Sequence, residues 1–485
     1  MVQPGAEQYN ISGINLGPEL TQEQAKKIFD LGEGAVIFAL LRLAKMVAEQ
    51  KHGKLVVHSH DDPSCPSGQK PVYTKPNIKD NPRKGKKPGR KKGHNGSRRD
   101  KPDKIDRYEE HRVSQCPACG SKVKRCSGCR ERYVEDILED VRTEVTKHLI
   151  HRDWCPKCRK MVEPVVPDAL PKATIGNGIL VLSAWLHFAL GNTISQILEV
   201  FNFHLRFKMS AGGLVDMWHR LADILWAWYE EIMADIQKAG VLHGDETGWR
   251  INGRTCWLWC FTSSMATIFT VERSRAGPVV LEFIKECFNG VLVSDFWYAY
   301  NVLSCVKQKC LVHLLRDLER VWKSKDSGGD WPKFCKKLKR LIRDAIRLRK
   351  RMDELEETTY QRRCQQIEKR LELIIEHEWS NKEAKRLIKR LKRHRDELFT
   401  FLSNPDVPFD NNFGERSIRG AVIMRKNSYN NRSDRGARTQ SVLMSVFFTL
   451  KQRGLNPVDV AKKALRIYIT TGKLPKLAEF SASLG

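Results

Sequence analysis

The chain has 485 residues, with 85 Lys and Arg against 57 Asp and Glu, and a formal net charge of +28. A basic excess of that size favours a polyanionic partner, nucleic acid ahead of an anionic membrane surface. The longest apolar run, Ile179–Leu190, is too short to span a bilayer and contains His187, and no charged-then-apolar leader opens the chain, so neither a membrane span nor secretion is expected.

Fourteen cysteines without a leader point to a reducing, cytoplasmic setting in which some thiols hold metal. The length suggests roughly three domains, and composition divides the chain more finely. Residues 1–62 form an N-terminal helical region. Within it Thr21 to about Gln50 reads as helix, with Thr21 and Gln24 as a capping box. Ile28, Leu31, Ala35, Phe38, Leu41, Leu43 and Val47 make its apolar stripe, which Gly32 and Gly34 interrupt. Such a helix packs on a second copy of itself or on its own domain.

Residues 63–104 lose apolar periodicity and read as a disordered basic arm. Arg83, Lys84, Lys86, Lys87, Arg90, Lys91 and Lys92 are its densest part. The arm neutralises phosphates or enters a minor groove, or else it is a solvated linker. Residues 105–168 carry Cys116-Pro-Ala-Cys119 and Cys155-Pro-Lys-Cys158. Two such knuckles complete a four-thiolate structural zinc site, with redox chemistry as the alternative for any C-x2-C pair. Cys126 and Cys129 are a third pair that could replace one knuckle, bind separately or stay free. Between the knuckles Tyr133–Arg152, with Val141, Val145 and Leu149, alternates like strands.

Residues 169–240 are apolar and helical over Ile179–Leu190, Ile194–Phe203 and Ala211–Ile236. Their tryptophans, Trp185, Trp218, Trp226 and Trp228, suit a core better than a base-stacking platform. Residues 241–330 begin a catalytic core. An apolar run ends in Asp245, and a short turn follows. Two strand-like runs (Cys256–Thr262, Ala266–Glu272), a helix (Pro278–Cys287) and a fourth strand (Val291–Ser294) then deliver Asp295. RNase H-like nucleases begin with this order. Strand alternation puts Asp245 and Glu246 on opposite faces, and Asp245 shares its side with His243 and Thr247.

Val302–Leu314 reads as a strand running into a helix whose first turn faces the carboxylates. It contains Cys310 and His313, which are only half of a zinc site. Residues 331–403 are a charged helical insertion of two or three antiparallel helices. Residues 404–485 return to the core. Asp410, Asn411 or Asn412 caps a helix with Glu415 in its first turns, and Arg425, Lys426 and Asn427 open a second basic tract. Thr439–Arg453 and Val458–Thr470 read as the closing helices.

Asp245, Asp295 and Glu415 suit phosphodiester chemistry with two Mg2+ (or Mn2+) ions about 3.5–4 Å apart. Asp245 would bridge both ions, and Asp295 and Glu415 would each complete one.

HGDETGWRINGRTCWLWCFT, VSDFWYAYN, CLVHLLRDLER and DNNFGERSIRGAVIMRKNSYNNRSDRGARTQS together resemble bacterial DDE transposases of the insertion sequence 66 family. The layout is similar too, including a basic GHxG stretch, here GRKKGHNG. The resemblance covers residues 20–470 and implies a multidomain α+β protein. An RNase H-like core with a helical insertion would follow a zinc-ribbon-like module and a helical region. It implies Asp245, Asp295 and Glu415 as the catalytic triad and Cys116, Cys119, Cys155 and Cys158 as zinc ligands. Cys310 and His313 match a C-x2-H motif of related transposases, and Arg425, Lys426 and Asn427 match a basic motif placed on DNA. The departures are the pair Cys126/Cys129 and the long charged stretch before Glu415. The implied activity is binding of element ends, hydrolysis at the 3′ end and strand transfer. The implied setting is a dimer or larger assembly on DNA in the bacterial cytoplasm, at the nucleoid, with accessory proteins of the element as further partners. A non-catalytic, domesticated DNA-binding protein and a structure-specific nuclease of the same fold are the rival readings.

Overall fold

The computed structural model describes residues 143–480 except 325 and 429, and before them residues 10, 11, 14, 15, 22–31, 36, 105, 108, 110, 115, 118–122 and 141. The basic arm with Arg83, Lys84, Lys86, Lys87, Arg90, Lys91 and Lys92 lies outside the described residues, as do Cys116, Cys126 and Cys129. Near the start, β1 (Asn10–Ile11) and β2 (Ile14–Asn15) pair antiparallel, and α1 (Gln22–Asp30) buries Ile28. Residues 32–35 and 37–50 of the expected N-terminal helix are not among those described.

The strands expected between the cysteine knuckles do not form at residues 143–152. Val145 and Leu149 are exposed there, so the alternation has no covered face to hold it in a sheet. The pairing lies at the knuckles themselves. Gln115 and Lys122 form an isolated antiparallel bridge around the first, and β3 (Asp153–Cys155) pairs with β4 (Lys160–Val162) around the second.

A helical layer follows: α2 (Asn177–Phe188), α3 (Ile194–Glu199) running into a π-helical turn at Val200–His204, α4 (Ala211–Ile224) and α5 (Trp226–Gln237). Thr193 and Gln196 close a capping box at the start of α3. The run expected as one helix over Ala211–Ile236 breaks at Leu225, whose φ of −80° and ψ of 4° leave the helical region. Trp218 and Trp228 are buried in the core.

The central sheet is built from β5 (Val241–Ile251), β6 (Arg254–Thr262), β7 (Thr267–Glu272), β8 (Val291–Ser294) and β9 (Val306–Lys309), with α6 (Gly277–Ile284) between β7 and β8. Its order is β7-β6-β5-β8-β9, and it is mixed. β5, β6 and β7 pair antiparallel, whereas β8 runs parallel to β5 and β9 parallel to β8. β5 does not turn after Asp245 but continues six residues to Ile251. Buried Thr247, Trp249 and Ile251 extend its alternation. The turn falls at Asn252-Gly253, where φ is +48° and +75°, the left-handed pair that a two-residue hairpin needs.

After the sheet come α7 (Leu311–Lys323), then α8 (Trp331–Lys350), α9 (Glu357–Glu376) and α10 (Lys382–Arg393), the three long helices of the insertion. A short α11 (Thr400–Ser403) leads to α12 (Asn412–Ser428), α13 (Asp434–Gln452) and α14 (Pro457–Thr471). Among the described residues no helix is long and apolar enough to cross a membrane.

Strand alternation divides the apolar interior in two. Leu292 of β8 joins the core formed by the sheet, α2–α5 and α12–α14, while its neighbours Val291 and Val293 join the core of α7 and the insertion. The outer edge of β7 is covered by α13. The Phe269 N–H donates to Ser445 Oγ at 2.8 Å and the Thr267 N–H to Thr449 Oγ1 at 3.0 Å, so side-chain hydroxyls finish the ladder that a sixth strand would otherwise extend.

Candidate active site

Parallel pairing aligns the first two acids. His243 of β5 lies opposite Val293 of β8, and two residues further along each chain stand Asp245 and Asp295. Neighbouring strands lie about 4.8 Å apart, so this register brings the two acids side by side where β8 ends. Asp245 is partly exposed, and the Glu246 N–H donates to its Oδ1 at 2.9 Å. Asp295 is buried just past the end of β8, and the Trp297 N–H donates to its Oδ1 at 2.8 Å.

Glu415 reaches the same region from the first turn of α12. Although part of Asp245 is exposed, desolvation by the protein packed around its carboxyl, and then the charges of Glu246, Asp295 and Glu415, hold it well above the usual carboxylate range. Burial and the charge of Glu246 push Asp295 up to about 7, although the Trp297 N–H, Lys309 and Arg275 oppose the shift. Glu246, Asp295 and Glu415 therefore all bear on the charge of Asp245, and Glu246 bears on that of Asp295.

Asn411 fixes the arrangement. Its Nδ2 donates to the Gly244 carbonyl at 2.8 Å, and its Oδ1 lies 2.9 Å from His243 Nδ1. Its own N–H donates to Cys310 Sγ at 3.2 Å, and its carbonyl accepts the Glu415 N–H at 3.0 Å. One buried side chain thus joins β5 to the start of α12. Gly414 lets it fit, because a Cβ there would lie 2.8 Å from Asn411 Oδ1. Just before α12 the Asp410 carboxylate accepts the Asn412 N–H at 3.1 Å and Asn412 Nδ2 at 2.7 Å.

Glu246, on the opposite face of β5, is 1% exposed and fully engaged. Arg275 donates to its Oε1 through Nε at 3.0 Å and Nη2 at 2.7 Å, and the Tyr300 hydroxyl donates to its Oε2 at 2.5 Å. The Arg275 guanidinium is stacked between Trp257 and Trp297, 4.6 and 3.5 Å from the ring centres. Gly244 leaves room for this layer, since a Cβ would approach Tyr300 Cε1 to 2.8 Å. Glu246 therefore neutralises a structural arginine, and the open carboxylate of β5 is that of Asp245.

Cys310, His313 and Glu415 also converge: their ligand atoms all lie within 4.8 Å of one another, a group that leaves out Asp245 and Asp295. Cys310 precedes α7 and is buried, which pushes its thiol up to about 12. Arg316, one turn on, approaches Glu415 Oε1 at 3.3 Å and Oε2 at 3.5 Å. Behind Asp295, fully buried Lys309 donates from Nζ to Ser294 Oγ at 3.3 Å. Burial holds Lys309 below the usual lysine range, against the opposing charges of Glu397 and Asp295.

The expected DNA contacts on α12 face inward in part. Arg425 Nη1 donates to the Gly248 carbonyl and, at 3.2 Å, to Thr247 Oγ1. Asn427 Nδ2 donates to the Gly191 carbonyl at 3.2 Å. Lys426 follows Arg425 in the last turn of the helix. At the second cysteine knuckle the Cys158 N–H lies 3.4 Å from Cys155 Sγ and lowers the Cys155 thiol from its usual range. Cys119 and Cys158 are exposed.

The family model described as Transposase IS66 family matches residues 172–439, more than half of the chain. The chain belongs to that family. The matched span of this IS66 family chain contains Asp245, Asp295, Glu415, Cys310, His313 and Asn411. Similar proteins include the uncharacterized protein y4hP of Sinorhizobium fredii (strain NBRC 101917 / NGR234), 24% identical over 400 residues, covering 73% of this chain and 71% of the relative. The uncharacterized protein y4jD of the same strain is 23% identical over 425 residues, covering 78% of this chain and 80% of the relative.

Sequence reasoning placed Asn411 only among the possible helix caps and did not single out Arg275, Tyr300, Lys309 or Arg316. For Asn411 the signal was an amide next to Asp410, which could cap the helix and leave the amide free to bridge. The others became meaningful only through long-range contacts.

Proposed function

We propose that this IS66 family member is a DNA transposase that cleaves and joins phosphodiester bonds through Asp245, Asp295 and Glu415. The observation that carries the reading is geometric: the parallel register of β5 and β8 sets Asp245 beside Asp295, and Asn411 ties Gly244, next to Asp245, to the turn of α12 that carries Glu415. A sheet of order β7-β6-β5-β8-β9, with three antiparallel strands followed by two parallel ones, supports an RNase H-like core beneath them.

An all-oxygen set of mutually repelling carboxylates fits Mg2+ or Mn2+. When bound, such ions activate the attacking oxygen and stabilise the leaving one. The chain's own groups supply position. Backbone N–H groups of Glu246 and Trp297 orient the two sheet acids, and Asn411 ties β5 to the helix that carries Glu415. DNA is the partner that fits the +28 charge, with Arg83–Lys92 and the Arg425–Asn427 tract as candidate contacts. Cys116, Cys119, Cys155 and Cys158 are the candidate structural zinc ligands, with Cys126 and Cys129 as alternates. Joining two ends calls for at least a dimer on DNA.

The test is a strand-transfer assay with full-length protein, element-end DNA and Mg2+ or Mn2+. Joined product is expected, and Asp245→Asn should abolish chemistry while preserving DNA binding. Cleavage that survives Asp245→Asn refutes the triad. Cleavage without joining indicates a nuclease, and binding without either indicates a non-catalytic DNA-binding protein.

A further inference from the structure

We propose that Cys310, His313 and Glu415 form a site for a zinc-class divalent ion, separate from the oxygen-ligand site of Asp245 and Asp295. Three observations carry it. The three ligand atoms lie within 4.8 Å of one another. His313 Nδ1 is 3.8 Å from Glu415 Oε1, too long for a hydrogen bond but close to the spacing of two ligands on one ion. Ligands about 2.0–2.3 Å from a tetrahedral metal stand roughly 3.3–3.8 Å apart. Cys310 Sγ accepts the Asn411 N–H at 3.2 Å, as a metal-bound thiolate would.

The local fold presents these groups without rearrangement of the backbone. Cys310 is the residue before α7 and His313 lies in its first turn, so both face one side. The Cys310 N–H donates to the Ser294 carbonyl at 2.9 Å, and the Leu311 N–H to the Phe409 carbonyl at 2.9 Å, which pins the turn against β8 and the lead into α12. Arg316 is the competing cation for Glu415. It is half exposed, and such pairs contribute little, so it yields to a directly bound ion.

A thiolate with an imidazole selects zinc or cobalt over magnesium. Three protein ligands leave the fourth position to water or a substrate oxygen. Glu415 cannot serve this ion and the acid triad fully at once, so zinc competes with Mg2+-dependent joining. That competition rests on the triad proposed above, whereas the binding does not.

Zinc content per chain, measured by elemental mass spectrometry on gel-filtered full-length protein, tests the binding. Wild type is expected to hold one zinc more than His313→Gln and Glu415→Gln, while Asp245→Asn matches wild type. Equal zinc in wild type and both variants, with unchanged circular dichroism, overturns the site. So does an Asp245→Asn variant that loses the same zinc. Cys310→Ser is a third probe, and because Cys310 is buried the two more accessible variants decide the outcome if it fails to fold. In strand transfer at saturating Mg2+, added zinc is expected to slow wild type several-fold more than His313→Gln. Equal slowing of the two overturns the competition while leaving the zinc count to judge the site.

Discussion

The Asn411 amide donates to the Gly244 carbonyl at 2.8 Å, across 167 residues of chain. The strand that carries Asp245 and the helix that carries Glu415 are held together there by one buried side chain. Asn411→Ala leaves the Gly244 carbonyl and His243 Nδ1 without their partner. Each unsatisfied buried polar group costs about 1–3 kcal/mol. We expect a stability loss of about 2–4 kcal/mol in urea unfolding, with strand transfer lost beyond what unfolding explains. An unchanged midpoint would show that the clamp is dispensable.

Asp295 gives the protein a specific pH response. Its folded-state pKa is about 7, above the usual 3.8, because burial and Glu246 penalise the charged form. An acid with a raised folded pKa binds its proton more tightly in the folded chain. Its contribution to stability without metal should therefore fall as pH rises from about 4 to about 7, then level off. Asp295→Asn should flatten that slope and stabilise the metal-free chain at pH 8 by more than about 1.4 kcal/mol, the worth of one pKa unit. Thermal melts in EDTA from pH 4 to 9 check this, and an identical slope in the variant contradicts the assignment.

Arg275 offsets the charge of Glu246 beside both sheet acids. Arg275→Ala strands a buried carboxylate, a change that costs about 3–5 kcal/mol in comparable pairs. It should also raise Asp295 further, so that the acid limb of the strand-transfer pH profile moves to higher pH. An activity loss with an unshifted profile would mean that Arg275 acts through packing alone.

Arg425 separates two roles for the tract on α12. Because Arg425 Nη1 reaches the Gly248 carbonyl of β5, Arg425→Ala should lower the melting temperature as well as DNA affinity. A pure phosphate contact would weaken binding and reduce the salt slope by about one unit without touching stability. Melting curves and a salt titration of DNA binding on one preparation distinguish the two.

Much of the sheet was legible because its signals are local. Val291–Ser294 is a continuous apolar run, and the structure has a strand with those bounds. The placing of Asp245 and Glu246 on opposite faces followed from period-two geometry, and Arg275 and Tyr300 now account for Glu246. The end of β5 was misjudged because the carboxylates interrupt its apolar pattern, and Asn252-Gly253 was the better punctuation. The alternation around Val145 and Leu149 misled in the opposite way, since a pattern without a partner surface does not make a strand. Lys309 and Asn411 lay beyond reach because their roles arise from groups 15 to 168 positions away.

The 167-residue reach between Gly244 and Asn411 also governs timing during synthesis. At about 5–20 residues per second, a ribosome delivers Glu415 roughly 10–30 s after Asp245. Throughout that interval the nascent chain carries two acids, a growing insertion and no helix to close the site. If the proposed triad cuts DNA, that capacity arrives late and all at once, and a chain released before α12 is made lacks the third acid.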